Sequence, residues 1–147
     1  MTGGVIKTKR VALSWDQEFK PALDDLRSFL NRRAEKKAIS NSELFMLCLG
    51  VGFEEGHKNK VPPRISDAIR LEAFKDSNLL GIMQSVALAD SKDYNILMNE
   101  DAVFDIVEAY AAGGLETLSI QMKTQLDFLG WLTGLLYKQA RKFQAEQ

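Results

Sequence analysis

Cysteine and histidine are nearly absent from this 147-residue sequence: each occurs once, as Cys48 and His57. A single cysteine excludes an internal disulfide, and one cysteine with one histidine cannot supply the four ligands of a structural zinc site. Proline is scarce, with three residues, two of them adjacent at Pro62 and Pro63, so helix breaks are few and localised. Long hydrophobic runs are missing as well. The longest apolar stretch, Phe128 to Tyr137, is interrupted by Gly130, Thr133 and Gly134 and falls short of the ~20 residues of a membrane span. Met1 to Arg10 places lysines after its one apolar pair and carries no hydrophobic segment, so no secretory signal is read and the expected location is cytoplasmic. Nor is there a glycine-rich phosphate loop, since Gly50, Gly52 and Gly56 fall in or at the end of a helical pattern and Gly113-Gly114 follows no strand. No cofactor and no metal are expected.

What is present suffices for one sizeable core: 46% of the residues are hydrophobic. The net charge of -1 hides an asymmetry about the double proline. Residues 1–64 hold 12 Lys and Arg against 8 Asp and Glu, whereas residues 65–147 hold 7 against 12. A basic first part suits a polyanion, and an acidic remainder suits solvent or a basic protein surface.

Along the chain, Val11, Leu13 and Trp15 alternate with Arg10, Ala12 and Ser14, the period of a half-buried strand. No second strand is read, so the unpaired edge is expected to find the same strand of a second copy. Phe19, Ala22, Leu23, Leu26, Phe29 and Leu30 recur at helical spacing and predict a helix from near Phe19 to about Lys37, with Pro21 tolerable in its first turn. Ser40-Asn41-Ser42-Glu43 spells a capping box. The apolar helix that it opens ends at Glu54-Glu55-Gly56, where Gly56 can take the left-handed cap conformation. His57 to Arg64 is a basic connector, in which His57 reads as a lone exposed histidine. Beyond it, helices are predicted over about 67–75 and 79–89, capped by Ser66 and Asn78, and over 101–112 and about 120–144, with Gly113-Gly114 breaking the last two. The fold class is mainly α: one N-terminal strand followed by about six helices.

Catalytic wiring is thin. Asp90, Asp93, Glu100, Asp101 and Asp105 read as helix caps and solvated faces, and Cys48 as a buried thiol. No catalytic residue is assigned and the chain is not expected to be an enzyme.

The order R-V-A-L-S-W, amphipathic helix, N-S-E-L-F resembles the ribbon-helix-helix DNA-binding proteins. The resemblance implies a dimer whose paired strands enter the major groove and whose second helix holds a phosphate at its start. It places Arg10, Ala12 and Ser14 on the groove side. Ala12 and Ser14 are poor base readers, which implies a grip dominated by the DNA backbone. The implied contacts are Lys7, Lys9, Arg10, Ser14, Ser40, Asn41, Ser42, Lys58 and Lys60. The implied division is a ribbon-helix-helix-like segment, residues 1–61, with an acidic helical segment, residues 62–147, packed on it.

A second resemblance spans about residues 41–136. E-L-F-M-L-C-L-G-V-G-F-E-E-G-H-K-N-K, I-M-Q-S-V-A-L-A-D-S-K-D-Y-N-I-L and I-V-E-A-Y-A-A-G-G-L-E-T-L resemble the small Dnd proteins associated with DNA phosphorothioation systems. In Glu108 to Leu115 the small residues suit close helix packing before a double-glycine turn. Together the resemblances imply a non-catalytic DNA-binding accessory or regulatory protein of such a defence system. The alternative is an adaptor that dimerises through its N-terminal strand and docks a larger defence enzyme through its acidic helices.

Overall fold

A computed structural model describes residues 6–8, 12–13, 20–33, 38–59, 69–75 and 79–145. Two short strands, β1 (Ala12–Leu13) and β2 (Ile69–Arg70), accompany six helices: α1 (Lys20–Arg33), α2 (Asn41–Glu55), α3 (Leu71–Lys75), α4 (Leu80–Ser91), α5 (Glu100–Thr124) and α6 (Phe128–Ala145). A 3-10 helix, Tyr94–Met98, links α4 to α5.

Local chemistry sets the ends of α2. The Ser40 hydroxyl accepts from the Glu43 amide at 3.2 Å while the Glu43 carboxylate accepts from the Ser40 amide at 3.0 Å, the reciprocal box that satisfies two orphan donors. At the other end Gly56 lies in the left-handed region, φ 64°. His57 N–H then reaches the Gly52 carbonyl at 2.8 Å and Gly56 N–H the Phe53 carbonyl at 3.2 Å, a Schellman closure. Pro21 sits in the first turn of α1, where its missing donor costs nothing.

Three expectations need correction. First, β1 has its partner inside the chain: Ala12 faces Arg70 and Leu13 faces Ile69, antiparallel. β2 is two residues long, too short to alternate visibly, and the helix expected over 67–75 begins at Leu71. Leu13 is fully buried in the chain's own core, not held for a second copy. Second, α5 runs unbroken through Gly113 and Gly114, and the chain breaks instead at residues 125–127, between α5 and α6. Third, the 3-10 helix, with Asp93 accepting from the Asn95 amide at 3.0 Å, carried no periodic signal. Ser66 and Asn78 lie outside the described residues; α4 starts after Leu79 with no side-chain cap.

One core joins every helix and both strands. Leu13, Leu26, Phe45, Ile69, Phe74, Met83, Phe104, Leu115 and Leu132 belong to a single buried cluster. Edge-on aromatic pairs tie its parts: Phe45 with Phe74 at 5.3 Å and Phe29 of α1 with Phe128 of α6 at 5.2 Å.

The tightest seam in that core is α2 on α5, where backbone touches backbone. A Cβ placed on Gly52 would fall on the Tyr110 carbonyl, and one on Gly114 would fall on the Cys48 carbonyl. The glycines therefore serve as bare contact surface inside helices, not as a turn. An alanine at either position must push two helices apart.

Helix propensity alone favours alanine over glycine by about 1 kcal/mol. Gly114→Ala should nevertheless destabilise the fold, by about 1–3 kcal/mol or more, because the clash is with backbone that cannot step aside. Gly50→Ala, with nothing within 4 Å of the added carbon, should stabilise by roughly 0.5–1 kcal/mol. Urea unfolding of the two variants beside the parent should give opposite signs.

Candidate functional site

Polar side chains converge where the strap leaving α2, residues 57–59, crosses α5. The Schellman closure turns the chain back, and the missing side chain of Gly113 lets the strap lie on the helix: a Cβ there would strike the His57 carbonyl. Asn59 N–H donates to the Ala109 carbonyl at 3.0 Å. The strap then lies between two polar groupings on one side of α5, Tyr110 on one flank and Glu116-Thr117 on the other.

On the Tyr110 flank, Asp90 at the end of α4 accepts from the Tyr110 hydroxyl at 2.6 Å and from Lys58 Nζ at 3.0 Å. The Lys58 ammonium also stands 5.4 Å from the centre of the Tyr110 ring, within cation–π range. The bond from Tyr110 holds the Asp90 carboxyl below the usual carboxylate range against the opposing effect of its partial burial, with Lys58 adding to the lowering. Burial, then the bond to Asp90 and its charge, push the Tyr110 phenol up to about 12. On the other flank His57 Nδ1 and Thr117 Oγ1 share a hydrogen bond of 3.0 Å. His57 Nε2 lies 3.7 Å from a Glu116 carboxylate oxygen, which also accepts from the Asn59 side-chain amide.

His57 is therefore half-buried and partnered, which corrects the reading of a lone exposed histidine. Its partners come from 60 residues away, across a helix expected to have ended at Gly113. Of the residues expected at a DNA surface, Ser40, Asn41 and Ser42 stand at the start of α2. There Asn41 Oδ1 accepts from Arg27 Nη2 at 2.5 Å, Ser40 and Ser42 hydroxyls are 3.2 Å apart, and Ser42 is buried. Lys58 sits past the other end of the same helix, more than about 20 Å away by the rise of its 15 residues. Lys7 is exposed on an arm docked at the start of α5, where Ile6 pairs with Asn99 and Thr8 N–H donates to the Glu100 carboxylate at 2.9 Å. These residues do not converge. Lys9, Arg10, Ser14 and Lys60 lie outside the described residues.

Arg27, Asn59, Glu116 and Thr117 were not singled out from the sequence, and Asp90, read there as a cap or solvated face, is instead partly buried between Tyr110 and Lys58. Tyr110, Gly113, Gly114 and Thr117 recur at steps of three and four, a helical face with bare glycine between polar groups. That spacing is the signal that would have found the cluster. Chemically it pairs the Lys58 ammonium with the Asp90 carboxylate, sets the His57 ring beside Glu116 and Thr117 and keeps a phenol protonated, which fixes the strap. The buried Cys48 thiol is pushed up by desolvation, away from its nucleophilic form, and no group of three metal-ligating side chains occurs among the described residues.

Because the folded Asp90 titrates below its unfolded value, its contribution is present above the usual carboxylate range and is lost as pH falls through the folded value. Tyr110, raised in the fold, contributes below about pH 10, the ordinary phenol value, and the contribution is lost as pH rises towards 12. Tyr110→Phe should cost about 1–2 kcal/mol near neutrality and flatten both limbs of the stability–pH curve, and Asp90→Asn should flatten the acid limb. Urea midpoints measured from acid to alkaline pH check both.

Residues 23–147 match the family of DNA sulphur modification system-associated protein 4, a span that takes in most of α1, all of α2 to α6, and the strap cluster. No curated protein and no solved structure matches the chain. No helix of the described residues is long and apolar enough to cross a membrane. With most of its length matched, the chain belongs to the DNA sulphur modification system-associated protein 4 family.

Proposed function

We propose that this chain is a non-catalytic accessory protein of the DNA sulphur modification system that acts as an adaptor, docking a larger protein of that system. The observation that carries this reading is the internal use of the features a DNA grip would need. β1 pairs with β2 of the same chain, and Lys58 is bound to Asp90. Meanwhile the acidic excess of the second part remains on the helix surfaces and turns, where Glu72, Asp93, Asp105 and Asp127 are exposed. Such a surface complements a partner with a basic face and repels a phosphate backbone.

Direct DNA contact is the second reading, and one observation favours it. Arg27 sets a cation beside Asn41 at the N-terminus of α2, where the helix dipole already attracts anions. Against it, Glu43 occupies the same turn and Asp24 lies 3.6 Å from Arg27, so the local charge is largely balanced.

Purification from cells carrying the native operon separates the two. The adaptor should bring down a stoichiometric partner that survives nuclease treatment, and duplex DNA titrated into the purified chain at low salt should give no salt-sensitive binding. A partner lost on nuclease treatment, together with DNA affinity falling steeply as salt rises, would reverse the assignment.

A further inference from the structure

α5 runs through Gly113 and Gly114 and then stops where neither glycine nor proline stands. Residues 124–128 read Thr-Gln-Leu-Asp-Phe, and glutamine and leucine are good helix formers. The break is made at Gln125, whose ψ of 129° is extended. It is sealed by Asp127, whose carboxylate accepts from the Gly130 amide at 2.9 Å and so caps the start of α6. Between them Leu126 is fully exposed. Were the helix to continue, Leu126 would follow Leu115, Ser119 and Met122 at steps of four, three and four, on the face that α5 turns to the core. The connection is thus compatible with a helix, and what bends it is the docking of α6.

That docking is slender. Among the described α6 side chains only Phe128 and Leu132 are buried, with Trp131 and Leu135 packed partly against the cluster. Phe128 stands edge-on to Phe29 of α1, and the Gln139 side chain donates to the Gly50 carbonyl of α2 at 3.0 Å. α1 and α2 therefore form the seat on which α6 rests.

We infer that residues 125–127 are an exchange hinge, through which α5 and α6 straighten into one helix so that α6 seats on α1 and α2 of a second copy of this chain. The occupant is fixed by the seat, which already holds this same helix within one chain. Every α6 contact is kept in the exchanged pair, and only the hinge changes. Straightening carries α6, about 27 Å long by its 18 residues, away from its own seat, which leaves that seat for the other copy. A connection of three residues invites such exchange, because it has little slack with which to hold the bend. The bent form keeps the Asp127 cap; the straight form gains the helical bonds that the cap replaces. The exchange is slow, since α6 must leave one seat before it takes another, and it is favoured by high protein concentration. This inference is independent of the adaptor reading, since it needs no protein but the chain itself.

Refolding the purified full chain at high micromolar concentration should give a dimer that gel filtration separates from the monomer and that reverts slowly on dilution. The position of α6 is read with two single substitutions, Gly50→Cys and Gln139→Cys, which lie on the two sides of the α2–α6 contact. Nothing lies within 4 Å of a carbon added at Gly50, and the native Cys48 is buried. Refolded together and treated with a short bis-maleimide, the two variants should yield a covalent dimer of one chain of each. Leu126→Gly should leave the monomer folded, with helicity unchanged, and lower the dimerisation constant about tenfold, because it places a glycine in each of two continuous helices. Asp127→Ala removes a cap that only the bent form uses and should raise the constant by about as much. Should that variant fail to fold, two glycines inserted after Leu126 should abolish the dimer by slackening the hinge. A chain that stays monomeric after concentrated refolding, a dimer in which the two cysteine variants do not cross-link, or a dimerisation constant indifferent to Leu126→Gly would each overturn the inference.

Discussion

The contact between Gly52 and Gly114 fixes the position of everything else. Two helix backbones meet there without intervening side chains, so their separation and axial register are set together. Sliding either helix by one residue would drive a side chain into a carbonyl. From that register follow the level of Gly113 beneath the strap, the height of Tyr110 against the end of α4, and the direction in which α5 leaves towards α6. The polar cluster is thus a consequence of helix packing first and of hydrogen bonding second. Its bonds hold a strap that the glycines have already placed.

The same contact explains what could be read from the sequence and what could not. Features encoded within one turn of helix were legible: the Ser40–Glu43 box, the Gly56 cap, the tolerance of Pro21, the amphipathic pattern of α1 and α6. These depend on neighbours in the chain. Two adjacent glycines, costing about 2 kcal/mol against alanine, read as a break because the compensating contact with α2 lies some 60 residues upstream. β2 was hidden for a related reason, since two residues cannot display a period. His57 was misread because its partners, Glu116 and Thr117, exist as neighbours only once α5 continues past Gly113.

Charge tells a similar story. Read linearly, a basic first part and an acidic second part point at two partners. In the fold they meet each other: Lys58 meets Asp90 across the strap, and the arm carrying Lys7 is docked at Glu100 by Thr8. The asymmetry in the sequence is thus partly an internal complementarity that helps the two parts pack as one core.

The distance along the chain between the two faces of this seam has a consequence for biosynthesis. α2, apolar around most of its circumference, leaves the ribosome well before Tyr110 and Gly114 are made. Until α5 follows, its leucines and phenylalanines lack the helix that covers most of them, and the arm at Ile6 has to wait for Asn99. Such a high proportion of distant contacts slows folding and lengthens the interval in which the nascent helix can be captured by other apolar surfaces. The close approach that makes the native seam unambiguous is therefore also what leaves the first third of the polypeptide dependent on prompt completion of the rest.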